Sequence, residues 1–150
     1  GFGRLMEREA LNGGGRVISF LAGSMAERIY QPGLSEMIAT GRALALSVIH
    51  PEARYTVAHA MERSKCLYAL GGAAFVISCE KNKGTAWEGA SAALRNSYCE
   101  RLYVWENPDI PGNLELIARG ATPFRRVSEL PIREMKVAWN QPRFEQMSLF

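Results

Sequence analysis

Four short apolar runs, each set off by turn residues, constrain this chain more than any other feature. They are Arg16–Leu21, Ala43–Ile49, Ala73–Ser78 and Leu102–Trp105. Each is too short for a buried helix and bounded by Gly, Pro or polar residues, so each reads as a strand. Near-continuous apolar strands are buried on both faces, as in a parallel sheet. Between and around them lie stretches with helical spacing: residues 4–12, a segment after Gly23-Ser24, residues 34–40, 56–70, 84–96 and 113–120. Parallel neighbours need a crossover long enough for a helix, and the alternation supplies one each time. The expectation is an α/β fold in three layers with a mainly parallel sheet. Four strands are few for a doubly wound sheet, so its N-terminal strands are expected to be missing.

Glycine and proline place the stops. Gly13-Gly14-Gly15 ends the first helix, Pro32-Gly33 punctuates the second, and Gly41, Gly71-Gly72 and Gly120 close others. Residues 121–150 differ. They carry Arg125, Arg126, Arg133, Lys136 and Arg143 with three prolines and no period. They read as a loosely packed extension with one strand near Lys136–Trp139.

Composition excludes little. The 150 residues are 47% hydrophobic and 22% charged, ordinary for one globular domain. A net charge of +3 permits nucleic acid as a partner without requiring it. No apolar run approaches the roughly 20 residues that cross a bilayer, so no membrane role is expected. The start, Gly1-Phe2-Gly3-Arg4, has neither an initiator Met nor the form of a signal peptide, and suggests a trimmed piece of a longer protein. Cys66, Cys79 and Cys99 are scattered and have no metal spacing with His50 or His59. Three reduced thiols in a cytoplasmic protein, with no metal and no cofactor, are the expectation. No catalytic set is evident, and both histidines read as structural or exposed.

Residues 73–94 hold the densest local signal. An apolar strand stops at a loop bearing Lys81 and Lys83, then Gly84-Thr85 opens a helix. A helix N-terminus presents unpaired N–H groups that suit a phosphate, and the lysines add to that field. The bland alternative is a capping box, with Thr85 as N-cap and Glu88 at N3. Both readings stay open on these residues alone. Tyr55, Phe75 and Trp87 are the aromatic residues available for base stacking, although Trp87 and especially Phe75 fit a core.

Several segments, in order, resemble the DNA-processing protein A (DprA, also called Smf) family. A helix ending in Ala10-Leu11 leads through glycines to a strand and the Gly23-Ser24 turn. Ile29-Tyr30-Gln31-Pro32 loosely matches the family's Tyr-Pro step, and Ser47–Tyr55 its strand with a proline loop. Arg63-Ser64-Lys65 stands where the family has Arg-Asn-Arg/Lys, and Gly72 where it often has Asp. Pro111-Gly112-Asn113 and Arg119-Gly120-Ala121 match the last loop and helix end. The resemblance covers residues 4–124. The family's upstream Gly-Ser-Arg and Gly-Gly-Ala motifs are absent, Gly1-Phe2-Gly3 being at most a remnant of the second.

What the resemblance implies is a Rossmann-like domain over residues 1–124 with an extension over 125–150. It also implies single-stranded DNA binding for recombination, DNA uptake or protection, without catalysis. Arg54, Arg63, Lys65, Lys81, Lys83, Gly84 and Thr85 become the candidate phosphate contacts. The wider superfamily includes nucleotide-binding sensors and phosphoribohydrolases, whose Pro-Gly-Gly-x-Gly-Thr-x-x-Glu motif resembles Lys83–Glu88 without its two leading glycines; an enzyme or sensor of that kind is the alternative. The end of the chain, Gln146-Met147-Ser148-Leu149-Phe150, looks like the peptide by which bacterial DNA-processing proteins dock on the sliding clamp. There Gln146 would bond a pocket rim while Leu149 and Phe150 bury apolar area. A recombinase partner and a homodimer are further implications.

Overall fold

The computed structural model describes residues 2–132. The expected strand near Lys136–Trp139 and the peptide Gln146–Phe150 lie outside the described residues. Helices and parallel strands alternate throughout, giving the Rossmann-like α/β layout. The strands form two separately hydrogen-bonded sheets rather than the single four-stranded one expected. The chain divides into two compact units, residues 1–67 and 68–150.

The first unit begins with α1 (Phe2–Asn12), then β1 (Val17–Phe20), α2 (Met25–Ile29), α3 (Pro32–Ala39) and β2 (Ala43–Leu46). Gly14 ends α1 in the left-handed region at φ 78°, and the Gly15 amide donates back to the Ala10 carbonyl at 2.8 Å. β1 and β2 pair in parallel, Val17 opposite Ala43 through Phe20 opposite Leu46. Ser24 caps α2 by accepting the Glu27 amide at 3.2 Å. Few large side chains are buried here: Leu34 is, with Ala22, Ala43, Ala60 and Ser64.

α4 (Val57–Leu70) runs through the division. The second unit continues with β3 (Ala73–Val76), α5 (Gly84–Asn96), β4 (Arg101–Trp105), α6 (Pro111–Ala118) and β5 (Thr122–Phe124). The sheet order is β3-β4-β5, all parallel, with Phe75 opposite Tyr103 and Tyr103 opposite Thr122. β5 falls inside the stretch read as a loose extension. Its three residues, one of them Pro123, are too few to show a period, and neighbouring β4 decides their conformation.

Side chains alternate across this sheet. Val76, Leu102 and Val104 pack with Cys79, Trp87, Ala90 and Leu116 into one core. On the opposite face, Phe75 stacks on Tyr103 with centroids 5.3 Å apart and meets Phe124 edge-on at 6.5 Å. Phe75 is nevertheless 43% exposed, so the core placement expected for it is wrong. An apolar run does not say which of its alternating residues gets covered. Past β5 the chain is tied down as well: Arg125 binds both carboxylate oxygens of Glu106 at 3.0 Å, and its amide donates to Glu129.

Candidate nucleic-acid interface

In a parallel sheet, ligands bind beyond the carboxyl ends of the strands. In the second unit two loops meet there, residues 77–83 after β3 and 106–110 after β4. The first turns tightly. The Lys83 amide donates to the Glu80 carbonyl at 3.2 Å, Asn82 sits at φ 59° and Gly84 at φ 80°. Nothing would lie within 4 Å of a Cβ on Gly84, so its glycine answers to backbone conformation and not to crowding.

The N-cap of α5 is Lys83, which supplies no side-chain cap bond. The Thr85–Glu88 capping box is therefore not formed, because the helix starts earlier than the sequence suggested. Gly84 at positive φ turns the chain directly into the first helical turn. That terminus keeps its partial positive charge without a side-chain acceptor from its cap.

A buried asparagine holds the two loops together. Asn113, 0% exposed, accepts the Cys79 amide at 3.0 Å through Oδ1. Its Nδ2 donates to the Ile77 carbonyl at 2.9 Å and to the Trp105 carbonyl at 2.8 Å. One side chain thus fixes the end of β3 to the end of β4. The neighbouring Gly112 lets it come close: a Cβ there would stand 2.2 Å from the Cys79 carbonyl oxygen and 2.8 Å from the Lys81 nitrogen. Pro111 begins α6, where a missing N–H costs nothing. The Cys79 thiol also points at Asn113 Oδ1, 3.4 Å away, and burial pushes its pKa up. It is a packed thiol and not a reactive one.

The loop carries its lysines outward, each beside an acid. Lys83 pairs with Glu80 at 3.1 Å. Lys81 reaches 34 residues along the chain to Glu115 Oε2 at 2.8 Å, and the other oxygen of Glu115 takes Arg119 at 3.0 Å. Lys81 and then Arg119 hold the Glu115 carboxyl below the ordinary carboxylate range. The Arg119 guanidinium lies 4.9 Å over the Trp87 ring. Trp87 is 3% exposed and belongs to the core, so it offers no face to a base.

The first unit holds the other candidates. Arg54 is exposed in the loop after β2, where its carbonyl meets His59 Nδ1 at 3.0 Å. Tyr55 is 63% exposed and seated against Gly23, where a Cβ would stand 3.2 Å from the tyrosine Cβ. Arg63 and Lys65 lie mid-helix in α4, as expected. Lys65 pairs with Glu62 at 2.6 Å. Arg63 lines an open cleft of about 880 Å³ with Ser24, Arg28, Tyr55 and Glu7, and its buried Nε has no hydrogen-bond partner among the described residues. Glu7 in that cleft accepts from Ser19 at 2.8 Å and lies 3.7 Å from Arg28. Lys81 and Lys83 thus share one loop, with Gly84 and Thr85 opening the helix that follows it; Arg54, Arg63 and Lys65 lie in the first unit, where Arg63 lines the cleft and Arg54 does not.

Both histidines are accounted for locally, since His50 Nδ1 accepts the Glu52 amide at 3.3 Å. Among the described residues no His, Cys, Asp and Glu cluster could hold a metal, and no helix is long and apolar enough to cross a membrane. Sequence reading missed Asn113, Glu115 and Arg119 as parts of this edge. Pro111-Gly112-Asn113 was visible as a helix opening, but its contacts are 34 and 36 residues away and leave no local signal.

Compared with known families, residues 1–134 match the model of the DNA recombination-mediator protein A family. Comparisons with curated proteins and with solved structures gave no match.

Proposed function

Because the chain belongs to the DNA recombination-mediator protein A family, whose work is DNA processing for recombination and uptake, we propose that it binds single-stranded DNA. The observation that carries this reading is the loop after β3. It holds Lys81 and Lys83 at 47% and 72% side-chain exposure, next to an α5 N-terminus that its N-cap leaves without a side-chain bond. Exposed cations beside a row of backbone N–H groups track phosphates without reading sequence. Arg54, Arg63 and Lys65 make a second group of phosphate contacts, with Tyr55 as the exposed ring on which a base stacks. The role is binding and handing on of the strand, without chemistry.

The terminal residues Gln146, Leu149 and Phe150 serve in this reading as an anchor for a sliding clamp. Deleting residues 146–150 then abolishes clamp retention while leaving DNA affinity unchanged.

Binding of a fluorescent oligothymidylate across a salt series tests the DNA reading. Each lost phosphate contact lowers the log–log salt slope by about 0.7 for a single strand. The Lys81→Ala/Lys83→Ala double variant is expected to bind more weakly with a slope shallower by about 1.4. No binding by the full chain at low salt, or equal affinity in the double variant, overturns it. Turnover of a nucleoside monophosphate that is lost in Glu88→Ala would point instead to the related nucleotide enzymes.

A further inference from the structure

Lys81 and Lys83 are neighbours in one loop, yet they are paired in different ways. Lys83 meets Glu80 three residues away, and both side chains are about 70% exposed. Such a pair is weak and opens readily. Lys81 instead meets a carboxylate from another element, on α6, that is only 29% exposed. Both oxygens of Glu115 are engaged, one by Lys81 at 2.8 Å and one by Arg119 at 3.0 Å. Arg119 is itself steadied by the face of Trp87. A carboxylate held between two cations at the edge of a parallel sheet occupies the place and makes the bonds that a phosphate oxygen pair would.

We propose that Glu115 is a built-in competitor for this site, holding Lys81 and Arg119 until the phosphate of a nucleic-acid strand displaces it. The role rests on the single-strand DNA reading above. Its consequence is a lowered affinity: the strand must break two charge-assisted bonds before it gains Lys81 and Arg119. Weak, exchangeable grip suits a protein that passes a strand on. Arg119 thereby joins Lys81 as a phosphate contact that the sequence did not single out.

The test is oligothymidylate binding by the full chain across a salt series, comparing Glu115→Gln with Glu36→Gln. Glu36 is an exposed residue of α3 whose removal changes net charge equally. Glu115→Gln is expected to tighten binding two- to fivefold more than Glu36→Gln, an exposed ion pair being worth up to about 1 kcal/mol, and to steepen the salt slope by about 0.7. In a Lys81→Ala/Arg119→Ala background the gain should shrink to that of Glu36→Gln. Glu115→Ala gives the same reading should the glutamine variant melt early. Equal effects of Glu115→Gln and Glu36→Gln, while Lys81→Ala still weakens binding, overturn the competitor and leave the DNA reading standing. Weaker binding by Glu115→Gln also overturns it, showing that Glu115 positions Lys81 instead. No binding by the wild-type chain removes the DNA reading, and the competitor with it.

Discussion

The two units follow one grammar of strand, loop, helix and parallel strand, but they are packed differently. In the second, Val76, Trp87, Leu102, Val104 and Leu116 are all at most 5% exposed and close one core around β3 and β4. In the first, α1 buries no residue, Ile18 and Leu44 on the strands are about half exposed, and the buried set is Leu34 with small side chains. Among the described residues the strands of the first unit pair only with each other, whereas β4 is hydrogen-bonded on both sides. Similar sequence runs thus meet different fates, because burial depends on how many neighbours a strand has and not on its own apolarity. The candidate DNA edge with Lys81 and Lys83 sits on the better-packed unit, as precise placement of a binding loop requires.

The sharpest way to break this comparison is at Gly112. A methyl group there would collide with the Cys79 carbonyl and the Lys81 amide, both backbone atoms that cannot swing aside. α6 would have to retreat, and Asn113 would lose its grip on Ile77 and Trp105. Gly112→Ala is expected to destabilise the second unit by about 3 kcal/mol, from overpacking and unmet buried polar groups together. Hydrogen exchange read separately on β3–β4 and β1–β2 amides checks it. A uniform loss across both sheets, or none, would contradict the clamp that Asn113 makes between the ends of β3 and β4.

This clamp also marks where sequence reading stopped. Strand and helix order was legible because each run carries its own period and its own Gly or Pro stop. The lysine loop was legible for the same reason: strand, polar loop and helix are contiguous. The family was legible in the order of its motifs. The capping box failed because a positive-φ Gly84 can start a helix before the side-chain signal does. Phe75 failed because alternation assigns a face but not a cover. Asn113 and Glu115 bond residues 34 positions away, and no local pattern announces such a partner, whereas the Glu115–Arg119 pair is a local i,i+4 one. β5 is a strand only because β4 is beside it.

A comparable effect comes from deleting apolar atoms. Leu116 is fully buried among the core residues, and Leu116→Ala is expected to cost about 3 kcal/mol through lost burial and a cavity. Ile18 is 51% exposed on β1, so Ile18→Ala should cost less than about 1 kcal/mol. Urea unfolding of both variants measures the difference. Equal costs would mean that the first unit has a core as tight as the second.

The smallest effect is a titration. Burial, and then the negative charge of the neighbouring Cys99 and Cys79 as thiolates, push the Tyr68 phenol from the ordinary 10.0 up to about 12. The folded chain therefore prefers the neutral phenol, and the unfolded chain releases its proton first. The stability that Tyr68 contributes is complete below pH 10 and is lost as pH rises toward 12. At about 1.4 kcal/mol per unit, the loss approaches roughly 2 kcal/mol at the upper end. Tyr68→Phe keeps the ring packed and removes the proton. Between pH 8 and pH 11.5 the wild-type chain should lose more stability than this variant, and the excess should appear in the exchange of β3 and β4 amides. A parallel decline in both chains would mean that the phenol is solvated in the folded state. The second unit would then be less tightly closed around Tyr68 than Val104 and Leu116, both 0% exposed, suggest.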